Sequence, residues 1–214
     1  MSTFTNAAHL SWRFISFSLL TIGVAAAQAA EVADMPVPKA GDKWTYHRTR
    51  DLPRSEDHLS RTVTEGSPTR GYIAIRGDGV PIKFDGAGNE IDQRGPEYCE
   101  ERLKFPMSVG SKWTHDRTLG MVPGKVGPQE VLGHATWEVE AFEKVSVPAG
   151  TFDCFRVSGT EYLLNAVAVG HAFTTYWYCP SIRGVAKSQQ VTKSWQGAPE
   201  ITTVQELISF TEGQ

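Results

Sequence analysis

Between Trp137 and Val147 apolar side chains take alternate positions. Trp137, Val139, Ala141, Val145 and Val147 are interleaved with Glu138, Glu140, Lys144 and Ser146. A period of two is what a strand with one wet face produces. Val147-Pro148-Ala149-Gly150 then places Pro second and Gly fourth, as a type I turn prefers. Alternation resumes beyond it, with Phe155 and Val157 set against Cys154, Arg156 and Ser158. The same reading predicts strands over 42–49, 59–65, 71–76, 80–85, 98–104, 111–117, 171–179, 184–194 and 200–210. Turn clusters such as Arg76-Gly77-Asp78-Gly79 and Asp85-Gly86-Ala87-Gly88-Asn89 separate them. Beyond residue 29 no stretch carries the i, i+3, i+4, i+7 apolar stripe of an amphipathic helix. The pattern therefore predicts a mainly β, antiparallel fold of about 11 strands, with at most one or two short helices.

The chain also echoes itself. Pro38 to Thr49 reads PKAGDKWTYHRT and Pro106 to Thr118 reads PMSVGSKWTHDRT, so that Gly41 aligns with Gly110 and Trp44 with Trp113. The physical reading is a turn glycine that releases the chain into a strand whose first buried side chain is a tryptophan. Two copies are too few for a solenoid.

The first 29 residues stand apart. They hold no Asp or Glu and a single cation, Arg13; Phe14 to Ala27 is apolar, and Ala27-Gln28-Ala29 supplies small-x-small. This is the anatomy of a secretory signal cleaved after Ala29, and the apolar run is short for a membrane span. The expected organisation is a signal peptide over 1–29, an extended lead-in over 30–40 and a single β domain over 41–214. No cysteine lies near the cleavage region to be acylated, so the expected location is periplasmic or secreted, free of a lipid anchor and of any later membrane-spanning segment. Apolar residues make up 40% of the chain and charged residues 21%, which suits a folded domain. A net charge of −3 argues against nucleic acid as a partner.

Three cysteines follow the leader: Cys99, Cys154 and Cys179. None belongs to a CxxC, which excludes a thioredoxin-like centre by spacing. An oxidising compartment predicts one disulfide and one free thiol. A hairpin joining 151–164 to 171–183 would set Cys154 opposite residue 181, close to Cys179 but not facing it. Cys99 therefore stays a competing partner for Cys179.

Two segments carry a resemblance. Val147-Pro148-Ala149-Gly150-Thr151-Phe152-Asp153-Cys154-Phe155-Arg156-Val157, and Thr175-Tyr176-Trp177-Tyr178-Cys179-Pro180 followed by Gly184-Val185-Ala186-Lys187, resemble recurring motifs of a family of exported bacterial β-proteins. That family is similar to the half-open β-barrels of the LolA/LolB lipoprotein carriers. The resemblance implies a single, strongly curved, half-open barrel and an extracytoplasmic location. The carriers plug their barrel with a helix, and this sequence offers none.

Chemistry is sparse. His47, His58, His115, His134 and His171 form no HxH, HExxH or Cys/His metal spacing, and no GxSxG elbow or phosphate loop occurs. Asp57-His58 and His115-Asp116 are adjacent in sequence, so on a strand each pair splits between opposite faces. No cofactor or metal is expected, and a hydrolase is the least favoured reading. The aromatic residues point elsewhere. Trp113, Trp137 and Trp177 are the candidate lining of a groove for an apolar ligand, a lipid or acyl chain or a hydrophobic peptide, on the concave sheet face. The alternative is a glycan-binding or structural module of the cell envelope.

Overall fold

The computed structural model describes residues 31–67, 71–124, 127–165, 168–193 and 199–214. The predicted signal segment lies outside them. Twelve strands account for most of this chain: β1 (Val32–Ala33), β2 (Lys43–Asp51), β3 (Arg54–Ser67), β4 (Gly71–Arg76), β5 (Pro81–Phe84), β6 (Met107–Ser108), β7 (Lys112–Gly124), β8 (Gly127–Val147), β9 (Gly150–Asn165), β10 (Ala168–Cys179), β11 (Gly184–Lys193) and β12 (Ile201–Thr211). The helical content among the described residues is two 3-10 turns, Pro96–Tyr98 and Pro180–Ile182.

Ten strands form one antiparallel sheet in the order β5-β4-β3-β2-β12-β11-β10-β9-β8-β7, and β1 pairs with β6 as a small second sheet. Two meanders are thus sewn together where β12 returns beside β2. The sheet is curved. Tyr72 on β4 and Tyr178 on β10 border one cavity, although a flat sheet would hold strands five places apart about 24 Å from each other. It does not close, because β5 and β7 remain its two edges. The mainly β, half-open expectation holds.

The echoed segments use one backbone device twice. Gly41 and Gly110 have φ of 91° and 89°, in the region that favours glycine. Gly41 N–H donates to Val63 O at 2.8 Å, and Gly110 N–H donates to Val139 O at 2.8 Å. In return Val63 N–H meets Asp42 O at 2.8 Å and Val139 N–H meets Ser111 O at 2.9 Å. Each following tryptophan is buried and donates its indole N–H to a carbonyl, Trp44 to Ile182 and Trp113 to Glu101, both at 2.9 Å.

Two buried clusters hold the sheet in shape. One gathers Trp113, Trp137, Val139, Phe155, Val157 and Tyr178 on the inner face. Gly159 makes room there, since a Cβ on it would lie 2.2 Å from the Trp137 ring. The other gathers Trp44, Tyr46, Leu207 and Ile182 with Cys154 and Cys179. The 147–150 turn reaches across to it, Ala149 N–H donating to Leu207 O at 3.1 Å.

The predicted strand at 98–104 is a correction. Residues 85–106 form an irregular strap joining edge strand β5 to edge strand β7, with a 3-10 turn at Pro96–Tyr98. At Arg102 and Leu103 one side chain takes the place of a ladder. Asn89 Oδ1 accepts from Arg102 N at 2.9 Å and Leu103 N at 2.8 Å, while its Nδ2 donates to Leu103 O at 2.9 Å. Leu103 and Phe105 drop from this strap onto the inner cluster, Phe105 meeting Tyr178 edge-on at 5.1 Å. A strap thus covers part of the inner face.

The disulfide joins Cys154 to Cys179, with Cα atoms 4.1 Å apart. Tyr178 pairs with Phe155, so the hairpin register is two residues tighter than expected and the cysteines face each other. Cys99, the competing partner, is free in the strap, accepting from Asp92 N–H at 3.3 Å. Titration of the unreduced protein in denaturant is expected to find one thiol; three would remove the bond.

Candidate functional site

The strap covers the inner face unevenly. Over β7–β10 it seats Leu103 among Trp113, Trp137 and Tyr178, and that half is filled. Over β2–β5 and the inner sides of β10–β12 a cavity of about 690 Å³ remains. Alternation explains its walls. On β2, Trp44, Tyr46 and Arg48 face inward; opposite them on β3 stand Arg61, Leu59 and Asp57. On β4 and β5 the inward positions are Tyr72 and Ala74, paired with Phe84 and Ile82. On β10 and β11 they are Tyr176 and Thr174, paired with Ser188 and Gln190.

The walls are aromatic and cationic. Five arginines border the cavity: Arg48, Arg61, Arg76, Arg102 and Arg183. Four of them hold carboxylates: Arg48 pairs with Asp57, Arg76 with Asp78, Arg102 with Glu100, and Arg183 with Asp42. Arg61 forms no such ion pair among the described residues. Its guanidinium lies over the rings of Tyr46 and Phe84, 5.4 Å from each centroid, and donates to Tyr46 Oη at 3.3 Å. Phe84 in turn stacks on Tyr72 at 4.6 Å. Burial works against the Arg61 charge, yet the neighbouring Tyr46 and Tyr72 and the more distant Glu90 outweigh it, and its pKa is raised.

Arg102 keeps 45% of its side-chain surface accessible and lies 5.8 Å from the Tyr176 ring centroid. Burial opposes its charge as well, but Tyr176 and Glu100 more than compensate and raise its pKa. Burial pushes the hydroxyls of Tyr72 and Tyr176 up to about 12 and raises that of Tyr178 also. These phenols therefore stay protonated and are available as donors. The cavity can hold a ligand with an apolar body and hydrogen-bond acceptors.

The sequence-predicted lining is divided by the structure. Trp113 and Trp137 are stacked at 6.4 Å in the filled half, 7% and 3% exposed. Both also line a second, more open hollow of about 820 Å³ with Lys112, Glu138 and Phe173, separate from the first cavity. The Trp137 indole N–H has no hydrogen-bond partner among the described residues. Trp177 does not join them. Tyr176 and Tyr178 pair with Val157 and Phe155 on the inner face, whereas Trp177 pairs with Arg156 and Lys187. Its indole donates to Glu143 at 2.9 Å, and the Lys187 ammonium lies 5.8 Å from the ring centroid. The cysteines sit beside the second cluster or in the strap, not in the cavity wall.

The residues that line the cavity were passed over as site candidates, though the sequence carries a signal for one of them. Leu59, Arg61 and Val63 share a strand phase, so an arginine stands where burial is expected. The histidines do not converge. His47 stacks on His58 at 5.3 Å, His134 pairs with Asp116 at 2.5 Å, and His115 meets Cys99 O at 2.7 Å. No group of three or more His, Cys, Asp or Glu able to hold a metal occurs among the described residues. No helix among them is long and apolar enough to cross a membrane.

No protein-family model and no curated protein matches this chain. Similar solved structures include the following three. One is a proposed exported protein with a YmcC-like fold from Bacteroides fragilis, 16% identical with a TM-score of 0.45, covering 84% of this chain and 100% of that one. The second is the hypothetical lipoprotein YmcC from Escherichia coli, 9% identical with a TM-score of 0.45, covering 78% of this chain and 83% of that one. The third is a proposed lipoprotein from Parabacteroides distasonis, 13% identical with a TM-score of 0.44, covering 85% and 100%.

Proposed function

We propose that this chain is an extracytoplasmic, non-enzymatic binding protein that holds a ligand with an apolar body on the inner face of its sheet. The observation that carries this reading is the cavity of about 690 Å³ left open beneath the strap, within the usual size range of small-molecule sites. The Cys154–Cys179 bond supports the compartment, since such bonds persist where the surroundings are oxidising. The reading takes the β2–β5 half in preference to the tryptophans, because Trp44, Leu59, Ile82 and Phe84 supply an apolar wall there. A glycan platform needs exposed coplanar indoles; Trp44, Trp113 and Trp137 are buried, so that alternative draws no support from these side chains.

Extraction of the natively purified protein for mass spectrometry is expected to release a bound amphiphile. Ser188→Trp, which projects an indole into the cavity from the β11 wall, should abolish its retention and leave far-UV circular dichroism and the urea midpoint essentially unchanged. A clean extract, together with no binding of a fluorescent fatty acid, would overturn the reading.

A further inference from the structure

We propose that Arg61 is a headgroup anchor, so that the cavity takes an amphiphile with an anionic head, a carboxylate or a phosphate monoester. This rests on the reading of the cavity as a ligand site and adds the chemical class of its occupant.

The argument starts from unmatched charge. Arg48, Arg76, Arg102 and Arg183 each already hold a carboxylate, but Arg61 does not. A guanidinium has five N–H donors in a planar fork, and Arg61 uses one, on the Tyr46 hydroxyl. The remaining donors have no partner among the described residues. The rings and the Tyr46 hydroxyl keep Arg61 charged while leaving most of its fork unused, and an incoming anion would take those charged hydrogen bonds. The hydroxyls of Tyr72 and Tyr178 border the same space without a hydrogen-bond partner among the described residues, and both can donate to the same head. The acids of the wall do not occupy this fork. Asp78 is held by Arg76, and Glu90 acts on Arg61 from beyond ion-pair distance. Beside the donors, Leu59, Ile82, Phe84, Leu103 and Val185 give an alkyl chain its apolar surface.

The test is titration of the purified full chain, below micelle concentrations, with dodecanoate, dodecyl phosphate, methyl dodecanoate and dodecyltrimethylammonium. Both anions are expected to bind about tenfold or more tightly than the ester, with the cation weakest. Arg61→Gln should weaken the anions by about 10- to 100-fold, the range expected for a lost charged hydrogen bond, and leave the ester within about twofold. Arg61→Lys, which keeps the charge and loses the fork, should fall between. A preference for phosphate would point to a phospholipid-derived ligand, and a preference for carboxylate to a free fatty acid; either supports the anchor. The wild-type preference for dodecanoate over its methyl ester needs no variant, so a poorly folding Arg61→Gln protein leaves the test intact. Equal binding of anion and ester by the wild type would overturn the anchor and leave the cavity reading standing. Binding of none of the four probes would overturn both, and binding of glucuronate in their place would overturn the amphiphile.

Discussion

Replacing Arg117 with methionine is expected to lower the free energy of unfolding by about 3–5 kcal/mol, the cost of stripping one partner from a buried ion pair. Arg117 Nε meets Glu161 Oε1 at 2.7 Å, and its Nη2 meets Glu161 Oε2 at 2.9 Å and Glu100 Oε2 at 3.1 Å. The side chains of Glu161 and Glu100 are 8% and 9% exposed. Opposite Arg117 stands Gly133, where a Cβ would lie 2.5 Å from Glu161 Oε1, so the carboxylate occupies space that glycine leaves. Methionine keeps much of the stem and none of the charge. Glu100 would retain Arg102, whereas Glu161 would keep no cation in ion-pair contact among the described residues. Because Glu100 belongs to the strap and Glu161 to β9, the loss should also loosen the roof of the cavity. Urea midpoints would measure the effect, and adding Glu161→Gln should recover a large part of it through coupling between the two sites. A loss under about 1 kcal/mol would mean that the cluster behaves as a surface pair.

The strands were legible because one face of each is buried and the period of two shows it. Phe155 and Val157 against Arg156 announce β9, and Pro148 with Gly150 announces the turn before it. The repeated Gly-x-Lys-Trp was legible as a device because positive φ and a buried indole are local demands. The strap was not legible as irregular chain. Glu100, Leu103 and Phe105 place buried and partly buried side chains in a segment rich in charge, which reads like an amphipathic strand. What pairs its backbone at Arg102 and Leu103 is the Asn89 side chain from a turn 13 and 14 residues away, and no local pattern announces such a contact. The start of β8 escaped for another reason. Gly127 to Thr136 mixes Gly, Pro, Gln and His, so pairing with β7 and β9, not apolar periodicity, holds it extended.

The candidate site was less legible than the fold. Aromatic content pointed to the inner face, but it cannot say how a strap will lie across it. Trp113 and Trp137 are inner residues spent on packing. Trp177 is one residue out of phase with Tyr176 and Tyr178, and period-two reasoning alone separates it from them. The stronger cue was polar: Arg61 between Leu59 and Val63. Its meaning depends on Phe84 and Tyr46, which arrive from neighbouring strands.

Asp42→Asn is expected to cost about 3 kcal/mol at neutral pH, and the cost should shrink on acidification. The Asp42 side chain is 0% exposed and ties together chain segments that are remote in sequence. Its carboxylate accepts from Arg183 Nε at 2.9 Å and Nη2 at 2.7 Å, from Gly213 N–H at 2.8 Å and from Lys39 N–H at 2.8 Å. Burial pushes its pKa up, but the hydrogen bonds from Arg183, Gly213 and Lys39 together prevail, and the folded value lies below the ordinary one of 3.8. A group whose pKa is depressed by folding contributes stability above its unfolded pKa and loses it as pH falls through the folded one. The wild type should therefore surrender this contribution below about pH 4. Asparagine does not titrate, and its amide N–H₂ would confront one of the donors at any pH. Asp57, Asp78 and Asp92 are also lowered by their arginine partners, but they are present in both proteins and cancel in the difference. Glu212 shares Arg183 and Lys39 with Asp42; being exposed, it can relieve Arg183 only in part. Paired urea unfolding curves from pH 7 down to pH 2 would trace the gap between the two proteins. A gap that stays constant across that range would show that Asp42 holds the lead-in, the turn after Cys179 and the C-terminus by shape alone.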